Sequence, residues 1–193
     1  MSAFTWPPED PAAPSTRPEP VAAAVLVPLY VSQDTPHLVL TRRRGDLRRH
    51  AGEISFPGGR RDPQDGDLSE TALREAEEEI GLPRGEVAII GRLEATSTFA
   101  TNYVIHPFVA TIPAGVAWEL SPREVDTVLE LPLHEIRAGR TVVELTRRGV
   151  TFRTDAYVVG EDTIWGATAR IIEHLLARLQ DRPGAAPVLR EDG

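Results

Sequence analysis

A chain of 193 residues is long enough for one domain with a real core, and its 41% hydrophobic and 26% charged residues are unlike a disordered or membrane chain. Lys+Arg 21 against Asp+Glu 29 leaves a formal charge of −8, which argues against a nucleic-acid coat or an anionic membrane surface as partner. Cysteine is absent, which excludes disulfides, a thiolate zinc site and a cysteine nucleophile, and every Lys/Arg position is Arg. The longest apolar run, residues 21–31, is too short to span a bilayer, and the Pro-rich start has no secretory pattern, so the expectation is a cytoplasmic enzyme or binding protein.

In chain order, residues 1–20 carry six prolines among small and charged residues and read as a flexible tail. Residues 21–31 and 37–42 are apolar or β-branched strands around a turn at 32–36. Residues 54–57 form a short extended piece ending in Gly58-Gly59. A helix follows over 68–80, with Asp67 as N-cap, Glu70 completing a capping box, and Gly81 and Pro83 as the stop. Strands are expected at 87–94, 103–112, 125–131, 141–146 and 150–159, the last two joined by a hairpin turn at 147–149. A helix over 164–180 presents Ile164, Thr168, Ile171, Ile172, Leu175 and Leu179 as its apolar stripe. Residues 181–193 read as a second tail. The sum is a single α/β domain over 21–180, a mixed sheet flanked by a few helices.

The informative segment is residues 58–82, GGRRDPQDGDLSETALREAEEEIGL. On a helix, Glu75, Glu78 and Glu79 share one face at i, i+3 and i+4, while Leu73, Ala76 and Ile80 fall on another that can pack on a sheet. Like charges so spaced repel, and a divalent cation would offset that. Three carboxylates without His or Cys suit hard ions such as Mg²⁺ or Mn²⁺. A bare acidic run is as a rule a solvated face, so the surrounding pattern has to decide.

That pattern, Arg74-Glu75-Ala76-x-Glu78-Glu79-x-Gly81-Leu82 after a Gly-Gly pair, resembles the box of the Nudix hydrolases, a loop–helix–loop motif in an α/β/α sandwich with a mixed sheet. The resemblance implies metal-assisted hydrolysis of nucleoside diphosphates linked to another group. It makes Glu75, Glu78, Glu79 and the carbonyl of Gly58 metal ligands for Mg²⁺ or Mn²⁺. Glu79 or Glu124 is then the base, and Arg74 orients the glutamates. Counting back from Arg74, the early glutamate of the box falls on Gly66, so the loop here is one residue longer, and Asp65 or Asp67 supplies the carboxylate that pairs with Arg74.

Upstream, LTRRRGDLRRHAGEISFPGG is similar to the motif of the coenzyme A pyrophosphatase branch of that family, matching at Leu40, Thr41, Arg43, Arg48, Gly52, Phe56, Pro57, Gly58 and Gly59 and departing at Arg44, where the branch prefers Ser or Ala. Independently of the family, Arg42, Arg43, Arg44, Arg48, Arg49, Arg60 and Arg61 make a basic patch in an acidic chain, suited to a highly phosphorylated ligand. About half of them are expected to pair with Asp46, Glu53 and Asp62 or to be solvated. Arg43, Arg48 and Arg60 are the expected phosphate-binding residues. Segments 102–108, 124–133 and 165–169 also resemble the branch. Coenzyme A is then the expected substrate and partner, cleaved to phosphopantetheine and adenosine bisphosphate, with no nucleic acid and no membrane bound and a homodimer left open. ADP-ribose, a dinucleotide or a nucleoside triphosphate is the alternative, for which Arg44 leaves room. A non-catalytic nucleotide-binding regulator is a second alternative, against which the intact glutamates count. The five histidines show no metal spacing, and Phe108, Trp118 and Trp165 read as core.

Overall fold

The computed structural model describes residues 19–46, 52–98, 102–147 and 149–180. Residues 1–18 and 181–193, most of the two expected tails, lie outside the described residues, as do Arg48, Arg49 and His50. Strand β1 (Val21–Ser32) turns into β2 (Thr35–Arg43) through Gln33 and Asp34, both with positive φ (49° and 58°), the two-residue turn whose twist suits a hairpin. The turn is therefore tighter than the 32–36 expected, and Thr35 and Pro36 already belong to β2.

The two strands pair only near that turn, from Leu29↔Leu38 to Ser32↔Thr35. Beyond it they splay, and a wedge fills the fork: β3 (Ile54–Ser55) pairs with Thr41 and Arg42 of β2, and β4 (Gly58–Arg60) with residues 23–25 of β1. The Gly-Gly pair thus belongs to a strand. Gly58 has φ 156°, and a Cβ there would lie 2.4 Å from the Ala24 carbonyl oxygen and 2.6 Å from the Val25 Cα, so no side chain fits. The far edge of β1 pairs in parallel with β7 (Tyr103–Thr111), which carries β5 (Ala88–Arg92) and β6 (Thr96–Ser97); the far edge of β2 carries β8 (Val125–Pro132). These eight strands form one mixed sheet.

Period-two alternation sorts the sheet residues onto two faces. Ala24, Leu26, Val39 and Ala110 meet Ala72, Ala76 and Ile80 of helix α1 (Leu68–Ile80) on one side. Val25, Val27, Leu38, Leu40 and Val109 meet Ile171, Ile172, Leu175 and Leu176 of helix α3 (Gly166–Gln180) on the other. A fully buried leucine such as Leu26 or Leu40 contributes about 1.5–3 kcal/mol by leaving water. Between β8 and α3 lie α2 (Leu133–Ala138) and a three-stranded antiparallel sheet, β9 (Arg140–Arg147), β10 (Val150–Val159) and β11 (Asp162–Trp165). The architecture is the expected α/β/α sandwich.

Three details differ from expectation. Ile164 belongs to β11, and the last helix begins at Gly166, whose φ of 68° breaks the strand. Its buried stripe ends in Leu176, while Leu179 is 43% exposed. Helix α2 has only six residues and no side-chain cap, so nothing local announced it. No helix among the described residues is long and apolar enough to cross a membrane.

Candidate active site

Helix α1 is held at both ends. The Asp67 carboxylate accepts from the backbone N–H of Ser69 (2.8 Å) and Glu70 (3.0 Å), satisfying two of the donors a helix start leaves open. Glu70 reaches back one residue further than a capping box would place it, to the N–H of Gly66 (2.8 Å). Gly81, in the left-handed region, closes the other end onto the carbonyls of Ala76 and Glu77.

Asp67 is thus the cap, which leaves Asp65 as the partner of the box arginine. Arg74 donates from Nε to Asp65 Oδ1 (2.9 Å) and from Nη2 to Oδ2 (3.0 Å), a two-pronged contact. Asp65 also accepts from Thr71 Oγ1 (2.8 Å) and the Asp62 N–H (2.8 Å), and only 7% of it is exposed. These donors, the Arg74 guanidinium foremost, hold its carboxyl far below the ordinary carboxylate range. The extra loop residue lets residues 62–66 curl inward, with Arg61 Nη2 donating to the carbonyls of Asp65 and Gly66.

Anchored in this way, Arg74 turns Nη1 toward the acidic face, 2.9 Å from Glu75 Oε1 and 3.2 Å from Glu78 Oε2. The third glutamate points inward. Glu79 is 4% exposed, its Oε2 accepts the Gly58 N–H (3.2 Å), and Oε1 lies 3.6 Å from Nη1 of Arg43. Burial pushes the Glu79 carboxyl up to about 8, against the pull of Gly58 and Arg43. Burial likewise raises Glu75, opposed by Arg74. Gly59 leaves room for Glu75, because a Cβ there would stand 2.5–2.7 Å from its carboxylate atoms. Glu77 faces away and pairs with Arg84 (2.8 Å) on the surface.

Arg43 ends β2 on the α1 side of the sheet, the same side as Val39. Its Nη2 lies 3.7 Å from Glu124 Oε2 at the entry to β8. The structure therefore gathers Glu75, Glu78, Glu79, Glu124, Arg43 and Arg74 around the Gly58-Gly59 wedge. Arg60, in β4, offers its carbonyl to Arg74 (3.3 Å) while the residue itself is exposed. Gly58 meets Glu79 through its N–H. Among the described residues, no three acids stand close enough together to hold an ion as they are; Arg74 pairs with Glu75 and Glu78, and Arg43 with Glu79 and Glu124. The donor set still fits a hard divalent ion: oxygen ligands only, one of them a buried carboxylate whose charge burial disfavours, beside a glycine cradle that a Cβ would fill.

Other arginines of the patch are committed elsewhere. Arg44 donates to both oxygens of Asp46 (2.9 and 2.8 Å) and to the Pro122 carbonyl (2.9 Å), so its head leaves the wedge. Arg42, on the opposite face, pairs with Asp162 of β11. That pair borders a cavity of about 330 Å³ that also has Ile54, Leu145, Arg147 and Trp165 in its wall. Trp165 was expected in the core. It is instead half-buried in this wall, with the Arg147 guanidinium 5.3 Å over its ring. The cavity joins strands far apart in sequence, so no local pattern marks it.

The sequence pattern of the NUDIX domain matches residues 20–149. The chain belongs to the Nudix hydrolase family. It is 39% identical over 160 residues to the uncharacterized Nudix hydrolase NudL of Photorhabdus laumondii, covering 82% of this chain and 84% of that protein. NudL of Yersinia pestis is also 39% identical, over 155 residues, 79% of this chain and 77% of its own. Among solved structures, a MutT/nudix family protein from Enterococcus faecalis superposes with TM-score 0.63 at 19% identity, over 87% of this chain and 65% of that one. The NUDIX domain of Shewanella oneidensis NrtR, solved in complex with ADP ribose, superposes with TM-score 0.55 at 15% identity, over 88% and 94%. At these identities the structural likeness shows the Nudix fold alone. Nudix hydrolases act on nucleoside-diphosphate-linked substrates and generally use divalent cations, and this chain is one of them.

Proposed function

We propose that this Nudix hydrolase cleaves the diphosphate of coenzyme A or its derivatives, giving phosphopantetheine and adenosine bisphosphate. The observation that carries this reading is the position of Arg43. It belongs to the upstream segment that resembles the coenzyme A branch, and its two terminal nitrogens reach Glu79 and Glu124 at 3.6 and 3.7 Å. A motif for one substrate class thus borders the reacting centre.

Glu75, Glu78, Glu79 and the Gly58 carbonyl would hold Mg²⁺ or Mn²⁺. When bound, the ion screens the phosphate oxygens and lowers the pKa of a water. Glu79 or Glu124 takes the proton of the attacking water as its oxygen bonds to phosphorus. The bridging P–O bond then breaks, leaving two phosphate monoesters and no covalent enzyme intermediate. Arg74 fixes the rotamers of Glu75 and Glu78, and Arg43 and Arg60 hold phosphate oxygens; Arg48, assigned the same task by the motif, lies outside the described residues.

The test is a panel of coenzyme A, acyl-coenzyme A, ADP-ribose, NADH and dNTPs, each with Mg²⁺ and with Mn²⁺. The highest kcat/KM on coenzyme A or its acyl forms supports the assignment. Preference for ADP-ribose or a nucleotide would reassign the substrate, and no turnover of any member would overturn hydrolysis. The raised Glu79 carboxyl gives a second check. Its proton must leave when a cation binds, so cation affinity should climb with pH and level off above about 8. Calorimetry at pH 7 in two buffers of different ionisation heat should register up to about one proton released per cation.

A further inference from the structure

The two arginines at the acidic face are held very differently. Arg74 is pinned by a two-pronged contact to buried Asp65 at 2.9 and 3.0 Å, so it stays in place whatever occupies the site. Arg43 has no such anchor. Its side chain is 27% exposed, and its ion partners among the described residues are Glu79 and Glu124, at 3.6 and 3.7 Å, beyond ordinary hydrogen-bond length. Its backbone, by contrast, is fixed, donating to the Glu53 carbonyl (2.9 Å) and accepting from the Gly52 N–H (3.1 Å). The head can therefore swing while its root stays still.

Glu79 and Glu124 are also carboxylates on which a divalent cation and the attacking water depend in the reading above. A dication held by Glu79 and Glu124 would stand within a few ångströms of the Arg43 guanidinium and repel it strongly. We propose that Arg43 is a resident counter-ion that bridges Glu79 and Glu124 in the cation-free protein, is displaced when a divalent cation binds, and is thereby released to grip a substrate phosphate. This rests on Glu79 being a cation ligand. It makes loading ordered, cation before substrate, because the phosphate-binding arginine is occupied by the protein's own acids until the cation replaces it. Arg43 acts here as a substrate-binding residue with two alternative partners, and Arg74, locked to Asp65, is the fixed one.

Binding of Mn²⁺ to the full chain without substrate, followed by the spectral signal of the free ion, tests the competition. Arg43→Gln removes the counter-ion and should bind Mn²⁺ about tenfold more tightly than wild type. Arg43→Lys keeps one charge but cannot span both acids, and should fall between. In the wild-type protein, phenylglyoxal should modify Arg43 several-fold faster with Mn²⁺ than without, located by peptide mass. That readout concerns the unmutated chain and follows the swing itself. Mn²⁺ binding no tighter in Arg43→Gln, or labelling of Arg43 unchanged or slowed by Mn²⁺, would overturn the exchange while leaving the hydrolase assignment standing. Failure of every form, wild type included, to bind Mn²⁺ would remove the cation site and the exchange with it.

Discussion

Replacing Glu78 by Gln is expected to lower turnover about a hundredfold or more and to leave the protein folded. The two halves of that outcome come from different physics. Glu78 is 60% exposed in its side chain, and its ion partner is Nη1 of Arg74 at 3.2 Å, an i,i+4 surface pair. Pairs of this kind contribute about 0.3–0.5 kcal/mol, so the melting temperature should hardly move. Nothing in the fold requires an acid here. The position lies on the face that Glu75 and Glu79 share, on the solvent side of the alanines that pack against the sheet, so its charge serves whatever that face binds. Losing one anionic oxygen ligand weakens cation binding and the transition-state charge balance together, and a hundredfold corresponds to about 2.7 kcal/mol. Glu77→Gln is the matched control, because Glu77 is one residue away, equally acidic, and paired with Arg84 on the surface. It should turn over like wild type. Full activity in Glu78→Gln would take Glu78 out of the ligand set.

What could be read in the sequence was what short-range physics determines. The bounds of α1 follow from Asp67, Gly81 and the apolar spacing between them, and the structure places the helix where those signals put it. The shared face of the three glutamates follows from helical periodicity alone. The partner of Arg74 stayed between Asp65 and Asp67 because an inserted residue changes where a loop carbonyl or carboxylate ends up, and no local rule fixes that. The structure separates them by role, Asp67 as cap and Asp65 as buried partner. Arg43 was legible as a basic residue near the site, but its pairing with Glu79 and Glu124 depends on three segments meeting in space. The same holds for Arg42 with Asp162, 120 residues apart. The stripe drawn from periodicity includes the exposed Leu179 and omits the buried Leu176, because periodicity does not show where the sheet beneath the helix stops.

Arg74→Ala should cost about 2–3 kcal/mol of stability, in addition to its effect on turnover. The deletion leaves the Asp65 carboxylate buried with Thr71 and the Asp62 N–H as donors but without its counter-charge. Stripping one partner from a buried pair costs about 3–5 kcal/mol, and because Arg74 is 20% exposed in its side chain the cost here falls below that range. For a chain of this size that is a fall of about 4–12 °C in Tm. Arg74→Lys should recover only part of it, since an ammonium cannot donate to both Asp65 oxygens while also facing Glu75 and Glu78. Asp65→Asn gives the pH signature of the same contact. The folded protein holds the Asp65 carboxyl far below its unfolded value of about 3.9, so the charge contributes its full stability above about pH 4. That contribution is lost as pH falls through the folded value. The stability gap between wild type and Asp65→Asn, from urea melts, should therefore be level from pH 5 to 8 and close progressively below pH 4. A gap that stays constant down to pH 2 would mean that Asp65 contributes shape and not charge, and Arg74 would then lose its role as the fixed arginine of the site.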